Sequence, residues 1–478
     1  MKKHIVILLF FFSAFYQLSS QNNSWFSWGS NSGVYGNGNT NSSFIPTLNK
    51  SLDTFKSLYL GSYHVYGIDK NDELWSWGDN GLKGKLGLNS DKILYDTPQK
   101  IDGNNKWKCI SIWDYLNAGI QNNGKLYAWG RYMGYPDSIS SEDRPIDKVF
   151  PILLSHDTDW IDVKVGGLHI LALKRDSTLW SMGGNEMGEL GIGVRLTTVK
   201  KPQLIMSDIK YIETKAQTCF MIDKYNRLWT WGANVYKSKI TDGEREYYMD
   251  SNYYTIPHLV NSQTGWKEVK VNGGRVLGLK NDGSLWSWGV NYYGQLGTGD
   301  FNNRDTPTRI ASNRYWKSIS IGNDNSFALD SQNFLWSWGR GGAGLGLGFG
   351  VKDMNTPQKI ESDSGWKNIL SGSLFCMALK GDSKMPVLKK LTLNNKNLSI
   401  SPNPTNSEIV LNLTSAHNNQ VFDMNIFDFS GRLLKSEVIT NLANYKYDIR
   451  GEVGTGIYFI KIASQDLDVN MIQRVIVN

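Results

Sequence analysis

The sequence is dominated by a five-residue segment that returns seven times. Its copies read WFSWG, LWSWG, LYAWG, LWSMG or LWTWG, and they end at Gly29, Gly78, Gly130, Gly183, Gly232, Gly289 and Gly339. Successive terminal glycines are 49 to 57 residues apart. Self-similarity at a fixed period of this size is typical of solenoids, propellers and arrays. This repeat therefore constrains the fold more than any other feature of the chain.

The residues upstream of the segment predict that the repeating unit is a β-structure. The clearest copy, Trp266 to Gly289, reads WKEVKVNGGRVLGLKNDGSLWSWG. Val269 and Val271 alternate with lysines, and Asn281-Asp282-Gly283 provides a turn before the tryptophan-containing strand. Alternating apolar residues joined by an Asp-Gly turn are the signature of a β-hairpin.

The two halves of the repeat are offset at the ends of the chain. Trp25–Gly29 has no upstream half before it, whereas the upstream half at Trp366–Asp382 has no segment after it. Pairing these two incomplete units gives a seventh complete unit and a ring with few open strand edges. The sequence thus predicts an all-β chain with a seven-bladed β-propeller closed by its N- and C-terminal segments.

The residues that follow the segment carry a family resemblance. NYYGQLGTGDFNNRDTPTRI spans Asn291 to Ile310, and NEMGELGIGVRLTTVKKPQLI spans Asn185 to Ile205. Together with the upstream half, these motifs resemble the regulator of chromosome condensation repeat over about residues 21–383. The resemblance implies a seven-bladed propeller. Kelch repeats have a similar length, but they come second because no regular double-glycine strand is present.

The N-terminus has the pattern of an export signal. Lys2 and Lys3 precede an apolar run from Ile5 to about Tyr16. Such a run is too short for a stable membrane span and is typical of a secretory signal peptide. The alternative, a buried N-terminal strand, fits the paired lysines and the length less well. We expect residues 1–20 to be the signal, cleavage before Gln21, and no transmembrane segment in the mature chain.

The last 80 residues predict a separate small β-sandwich. Residues 384–398 read as a polar linker between the propeller (21–383) and a C-terminal domain (399–478). The motifs PNPT from Pro402, FDFSGR from Phe427 and GIYF from Gly456 resemble the C-terminal sorting domain of the type IX secretion system. Ser401 stands where that family most often has tyrosine. The resemblance implies bacterial export through the periplasm, with the propeller released or held at the cell surface.

Composition excludes several classes of function. The net charge of +7 lies partly in the signal and the linker, and no clustered basic face is visible, so no nucleic-acid partner is expected. The three cysteines, Cys109, Cys219 and Cys376, are too few and too scattered for a disulfide framework. We interpret them as small core residues.

No catalytic, cofactor or metal constellation is apparent. His64 and His169 occupy the same repeat position, which favours local hydrogen bonding over a shared metal site. Of the 18 tryptophans, 17 belong to the repeat and are predicted to be core; only Trp113 does not. The chain is therefore not expected to be an enzyme or to bind a cofactor.

The candidate contact residues are tyrosines where blades depart from the repeat. The interval from Ala233 to His258 abandons the consensus, and tyrosine is enriched at protein interfaces. The same rings could equally pack beneath a long insertion, and the sequence leaves both interpretations open. The predicted partner-binding residues are Tyr236, Tyr247, Tyr248, Tyr253, Tyr254, Tyr292 and Tyr293.

These observations predict a secreted or surface-displayed monomeric binding module that recognises a macromolecule, in particular a protein, through its blade loops. Besides that partner, the type IX machinery would contact the chain. A carbohydrate or cell-wall binder is an alternative, favoured if exposed tryptophans lined a groove. Inhibition of a partner enzyme is another, because a secreted bacterial inhibitor of β-lactamase resembles this propeller family. An enzyme would need a converging acid–base set, which is not found.

Overall fold

The computed structural model divides the chain into two compact units. One holds the repeats, and the other holds residues 383–478 together with the short segment Gly348–Lys352. Up to residue 382 the structure describes residues 23–81, 84–101, 103, 105–132, 146–233, 253–361 and 364–381. After residue 382 it describes 398–401, 408–413, 422–428, 433–439, 445–449, 456–464 and 469–477. Residues 1–22, which include the predicted signal, and most of the predicted linker are outside the described part.

The repeat unit consists of short antiparallel strands, with 3-10 turns at Lys50–Leu52 and Ala343–Leu345. Its strands are β1 (Ser24–Gly29), β2 (Ser43–Leu48), β3 (Phe55–Leu60), β4 (His64–Asp69), β5 (Leu74–Asp79), β6 (Leu94–Lys100), β7 (Trp107–Ile112), β8 (Leu116–Gln121), β9 (Leu126–Tyr132), β10 (Ile146–Ser155), β11 (Trp160–Val165), β12 (His169–Lys174), β13 (Leu179–Gly184), β14 (Thr198–Met206), β15 (Ile209–Lys215), β16 (Thr218–Asp223), β17 (Leu228–Ala233), β18 (Tyr253–Leu259), β19 (Trp266–Asn272), β20 (Arg275–Lys280), β21 (Leu285–Gly289), β22 (Arg304–Ile310), β23 (Trp316–Ile321), β24 (Asn325–Asp330), β25 (Leu335–Gly339), β26 (Met354–Lys359), β27 (Trp366–Ser371) and β28 (Phe375–Lys380).

These strands form seven four-stranded sheets, which are the blades of a β-propeller. Blades 1 to 6 take four consecutive strands each, named a to d in chain order: β3–β6, β7–β10, β11–β14, β15–β18, β19–β22 and β23–β26. Blade 7 takes β27 and β28 as strands a and b, and β1 and β2 as strands c and d. The a strands contact one another from blade to blade around the whole ring and line its central channel.

Blade 7 confirms the predicted closure. β1 pairs with β28 from Ser24 opposite Lys380 to Gly29 opposite Phe375, so the N-terminal segment supplies the strand that the last repeat lacks. The Trp28 side chain is fully buried, and its Nε1 donates a hydrogen bond to the Gly344 carbonyl 3.2 Å away in blade 6. Ring closure therefore rests on both backbone pairing and side-chain packing.

The predicted tryptophan core is largely confirmed, with one correction. The opening tryptophans and the second tryptophans of the repeat segment are buried, among them Trp25, Trp77, Trp107, Trp129, Trp160, Trp231, Trp266, Trp288, Trp316, Trp338 and Trp366. The first tryptophans of four segments, however, are only half-buried: Trp75, Trp180, Trp229 and Trp286. The two tryptophans of one segment are two residues apart and therefore lie on the same face of the strand. The first is the nearer of the two to the b–c turn, at the end of the blade.

The half-buried indoles are mostly covered by cations. The Lys174 ammonium lies 5.1 Å from the Trp180 ring, and that of Lys280 lies 4.5 Å from the Trp286 ring. The Arg227 guanidinium lies 5.2 Å from the Trp229 ring. Cations over an indole face are attracted by its quadrupole. Three of these four rings therefore already have a cation against one face.

The C-terminal unit is also built of β-strands, as predicted. One sheet has the order β29 (Leu398–Ser401), β30 (Glu408–Leu413), β33 (Tyr445–Asp448). The other has the order β32 (Leu433–Ile439), β31 (Phe422–Asp428), β34 (Gly456–Ser464), β35 (Val469–Val477). Met424, Ile426 and Ile460 are fully buried. In the described parts of both units, no helix has the length and apolar character needed to cross a membrane.

Candidate partner-binding site

The a–b turns and the described c–d loops lie on one face of the ring, which we call the loop face. The residue after the terminal glycine of each repeat segment donates its backbone N–H to the carbonyl of the residue just before strand b. This bond occurs in all seven blades, between Asp79 and Tyr63, Arg131 and Tyr115, Gly184 and Leu168, Ala233 and Gln217, Val290 and Gly274, Arg340 and Asp324, and Ser30 and Leu374. The b–c turns lie at the other ends of these strands and form the opposite face.

The repeat sequence explains how the c–d loop of blade 5 is held in one conformation. The terminal glycine of blade 5, Gly289, has φ of +104°, and a Cβ there would lie 2.3 Å from the Gly274 carbonyl oxygen, so only glycine fits. Two residues on, the Asn291 side chain accepts from the Leu296 N–H at 2.8 Å and donates to the Asp300 carbonyl at 2.9 Å. A loop fixed in this way loses little conformational entropy on binding.

The structure places the described candidate tyrosines on the loop face of two neighbouring blades. Tyr253 and Tyr254 begin strand d of blade 4, opposite Ala233 and Gly232. Tyr292 and Tyr293 lie in the c–d loop of blade 5. The other three predicted residues, Tyr236, Tyr247 and Tyr248, lie outside the described residues.

The four described tyrosines divide into two kinds. The Arg195 guanidinium, from blade 3, lies 3.6 Å from the Tyr253 ring, and that of Arg340, from blade 6, lies 4.9 Å from the Tyr293 ring. These two rings therefore take part in contacts between blades. Tyr254 and Tyr292 are 37% and 43% exposed.

The central channel has a charged wall on blades 3 to 5. Val269 and Val271 pack into the core, which turns the alternate residues of strand a toward the channel. There Lys270 Nζ lies 2.8 Å from a Glu213 carboxylate oxygen, and Lys164 Nζ lies 3.2 Å from Asp162. Although burial alone would raise it, Lys270 and Lys164 hold the pKa of Glu213 below its usual value. The alternate positions on the other four blades carry no charge: Ser57, Tyr59, Cys109, Ser111, Ser318, Ser320, Asn368 and Leu370, of which Cys109 is buried.

The two aligned histidines connect neighbouring blades. His64 and His169 are both fully buried at the first position of strand b. His169 Nε2 lies 2.9 Å from Thr214 Oγ1 of blade 4, and His64 Nε2 lies 3.4 Å from Asn117 Oδ1 of blade 2. Burial lowers the pKa of each imidazole to about 3. Hydrogen bonding at this position agrees with the sequence interpretation.

A thiol lies next to one of these imidazoles without forming a nucleophile. Cys219 Sγ is 3.2 Å from His169 Nε2. Burial raises the pKa of the thiol well above its usual value and lowers that of the imidazole, so both groups are neutral. A reactive cysteine needs the opposite shifts. Cys109, Cys219 and Cys376 are free and buried, and the described part of the chain has no group of three or more His, Cys, Asp or Glu suited to a metal ion.

Sequence reasoning missed a second set of residues on the loop face. Tyr63, Tyr115 and Leu374 immediately precede strand b in blades 1, 2 and 7, and they are 44%, 47% and 45% exposed. Aligning the seven copies at this one position would have revealed them. Trp113, the tryptophan that the repeat does not explain, lies in the same turn as Tyr115.

Two family descriptions match the chain. That of the RCC1-like domain matches residues 24–378, and that of a secretion system C-terminal sorting domain matches residues 399–478. The second indicates bacterial type IX export to the cell surface or beyond.

Relatives with this repeat are found in eukaryotes. Protein pim1 of Schizosaccharomyces pombe is 25% identical over 287 residues, 54% of this chain and 52% of pim1. The human E3 ubiquitin-protein ligase HERC2 is 27% identical over 300 residues, 58% of this chain but 6% of HERC2. The ultraviolet-B receptor UVR8 of Arabidopsis thaliana is 25% identical over 59% of this chain and 65% of UVR8. The chain thus spans about half of pim1 and a small part of HERC2.

Solved structures show the same fold. Prp20p from Saccharomyces cerevisiae has a TM-score of 0.65 at 22% identity, covering 78% of this chain and 94% of that one. Human WBSCR16 has a TM-score of 0.62 at 16% identity, covering 76% of this chain and 99% of that one. The chain therefore belongs to the RCC1-like domain family of β-propellers, and it carries a secretion-system sorting domain at its C-terminal end.

Proposed function

We propose that this chain is a non-catalytic binding module that recognises a protein outside the cell through the loop face of its propeller. The observation that carries the proposal is that exposed aromatic rings stand on fixed backbone. Tyr292 lies in the c–d loop that Asn291 holds, and Tyr254 lies in strand d of blade 4, paired with Gly232. Aromatic side chains on a rigid scaffold provide a large contact area at low entropic cost. Tyr236, Tyr247 and Tyr248, which precede Tyr254 in the same interval of the chain, are part of this proposal.

Two further observations support a protein as the partner. Three of the four half-buried indoles of the repeat segments lie under a lysine or arginine, which weighs against sugar stacking. The structural neighbour Prp20p was described together with its binding properties to Gsp1p and histones, so the fold serves protein binding in at least one relative.

For the route of export, we propose that residues 1–20 are removed as a signal and that 384–398 link the propeller to the sorting domain. The mature protein would then begin at Gln21. This division places the described propeller strands, from β1 to β28, in the released or surface-held part.

The function is tested with the secreted protein as bait against proteins from the medium and cell surfaces of its own habitat. Bound proteins are identified by mass spectrometry. Tyr254→Ser with Tyr292→Ser changes the loop face, while Tyr225→Ser with Tyr315→Ser removes rings that are 59% and 68% exposed on the opposite face.

We expect the loop-face pair to weaken capture and the opposite-face pair to leave it unchanged. Equal melting temperatures for both pairs would show that folding is not the cause. Capture lost only in the opposite-face pair would contradict the assignment of the face. Failure of the wild-type protein to retain any specific protein would contradict the proposed function as a whole.

A further inference from the structure

Four consecutive blades place apolar residues at the tips of their a–b turns. The residue before strand b is Leu374 in blade 7, Tyr63 in blade 1, Tyr115 in blade 2 and Leu168 in blade 3. We call these four residues the apolar arc. The equivalent residues of blades 4, 5 and 6 are Gln217, Gly274 and Asp324. The same backbone hydrogen bond fixes this position in every blade, so the seven residues are structurally equivalent.

The turns that carry the arc follow one another closely around the channel mouth. A Cβ on Gly372 of blade 7 would lie 2.7 Å from the Gly61 carbonyl of blade 1. Ser62 of blade 1 donates to the Asp114 carboxylate of blade 2. Between blades 2 and 3, the Val165 N–H donates to Ser111 Oγ at 3.0 Å. Beyond the arc, the Gly167 N–H of blade 3 donates to the Ala216 carbonyl of blade 4 at 2.6 Å. The exposed tips therefore border one side of the mouth rather than forming isolated spots.

Trp113 of blade 2 and Lys215 of blade 4 lie at the loop-face end of the central channel, beside the turns of the apolar arc. Each occupies the strand-a position next to the turn, where four other blades have Gly61, Gly166, Gly322 and Gly372. Because glycine has no side chain, these four blades leave space at the channel mouth for the Trp113 and Lys215 side chains. The Lys215 ammonium of blade 4 reaches past blade 3 and lies 4.2 Å from the Trp113 ring of blade 2.

Lys215 differs from the other lysines of the channel in its partners. Lys270 and Lys164 each have a carboxylate within 3.2 Å. Lys215 has no carboxylate within ion-pair distance in the described part of the chain, and Glu213 and Asp114 act on it only from farther away. Burial lowers the pKa of its amine to about 8, as expected for a cation that lacks compensation. An incoming carboxylate would supply that compensation.

We propose that the apolar arc and Lys215 together receive a protein loop in which apolar side chains flank an aspartate or glutamate. The apolar residues of the loop would pack on Tyr63, Tyr115 and Leu374, and its carboxylate would pair with Lys215 at the channel mouth. The inference rests on the proposed function, since it specifies which part of the loop face binds and what it binds. Complementary charge combined with apolar area distinguishes this sector from the polar tips of blades 4 to 6.

The probe is a phage library of constrained twelve-residue loops selected on the secreted wild-type protein. We expect enriched loops to contain Asp or Glu beside aliphatic or aromatic residues. Tyr63→Ser with Tyr115→Ser should weaken the selected loops by about tenfold or more. Lys215→Gln should weaken them comparably, whereas Lys215→Arg, which keeps the charge, should bind close to wild type. The pair Tyr225→Ser and Tyr315→Ser is the control on the opposite face.

Three outcomes would overturn the inference. Loops may fail to be enriched, may lack acidic residues, or may bind the arc variants as well as the wild type. Loss of loop binding only in the Tyr254→Ser and Tyr292→Ser pair would contradict binding at the apolar arc while leaving the proposed function intact. Glycan binding, or self-association measured by sedimentation, that the arc variants abolish would assign the surface to a sugar or a second copy instead. Thermal melting of every variant identifies loss of fold.

Discussion

Replacing Trp28 by alanine tests how the ring is closed. Trp28 lies on β1, the N-terminal strand of blade 7, and packs edge-on against Phe327 of blade 6 at 6.3 Å between ring centroids. Its side chain is completely buried. Removing a ring of this size loses about 4 kcal/mol of packing free energy, and an alanine leaves the cavity largely unfilled.

The hydrogen bond from Trp28 Nε1 adds to this loss. Without the indole, the Gly344 carbonyl has one partner fewer, which costs about 1 kcal/mol. We therefore expect Trp28→Ala to lower the free energy of unfolding by about 5 kcal/mol, a large part of the 5–15 kcal/mol typical of a domain. Urea titration of the secreted protein followed by far-UV circular dichroism measures this difference.

Two matched variants separate closure from ordinary core damage. Trp288→Ala removes the equivalent, equally buried ring from blade 5, whose four strands are consecutive in the chain. It should destabilise comparably, but only Trp28→Ala should expose the N-terminal strand to proteolysis under native conditions. Ile45→Ala, on an outer strand and 54% exposed, should change stability by less than about 0.5 kcal/mol. A Trp28→Ala protein within about 1 kcal/mol of wild type would refute this account of closure.

Three further results are expected. Burial lowers the pKa of His64 and His169 to about 3, so these imidazoles take up protons at a higher pH in the unfolded state than in the folded state. The free energy of unfolding should therefore fall as the pH drops from about 6.5 toward 3. Urea titrations at several pH values measure the decline, and His169→Gln should reduce its slope; an unchanged slope contradicts the assignment. Burial raises the pKa of the thiols Cys109 and Cys376 to about 12, so iodoacetamide at pH 8 should label them only after denaturation; prompt labelling of folded protein argues against this. Deleting residues 399–478 should leave the propeller in the periplasm, and its appearance in the medium would contradict the type IX route.

Tertiary structure decided which aromatic residues are available for contact. Tyr253 and Tyr254 are adjacent in the chain and were predicted together, yet a guanidinium from the preceding blade lies over Tyr253. Tyr293 has a comparable partner from the following blade, whereas Tyr292 is exposed. Sequence patterns carry no information about which arginine of a neighbouring blade will reach a given ring, because this depends on the spacing and curvature of the ring of blades.

The sequence by itself determined the architecture. The repeat period, the Asp-Gly turns and the offset of the two half-repeats are local or countable features, and together they predicted a seven-bladed propeller closed by Trp25–Gly29, as observed. Only the tertiary structure brought Lys215 to Trp113, since that contact joins blades 2 and 4 across a glycine of blade 3. Fold follows from repeating short-range preferences that reinforce one another, whereas a site at the channel mouth arises from side chains that single blades contribute and that closure of the ring brings together.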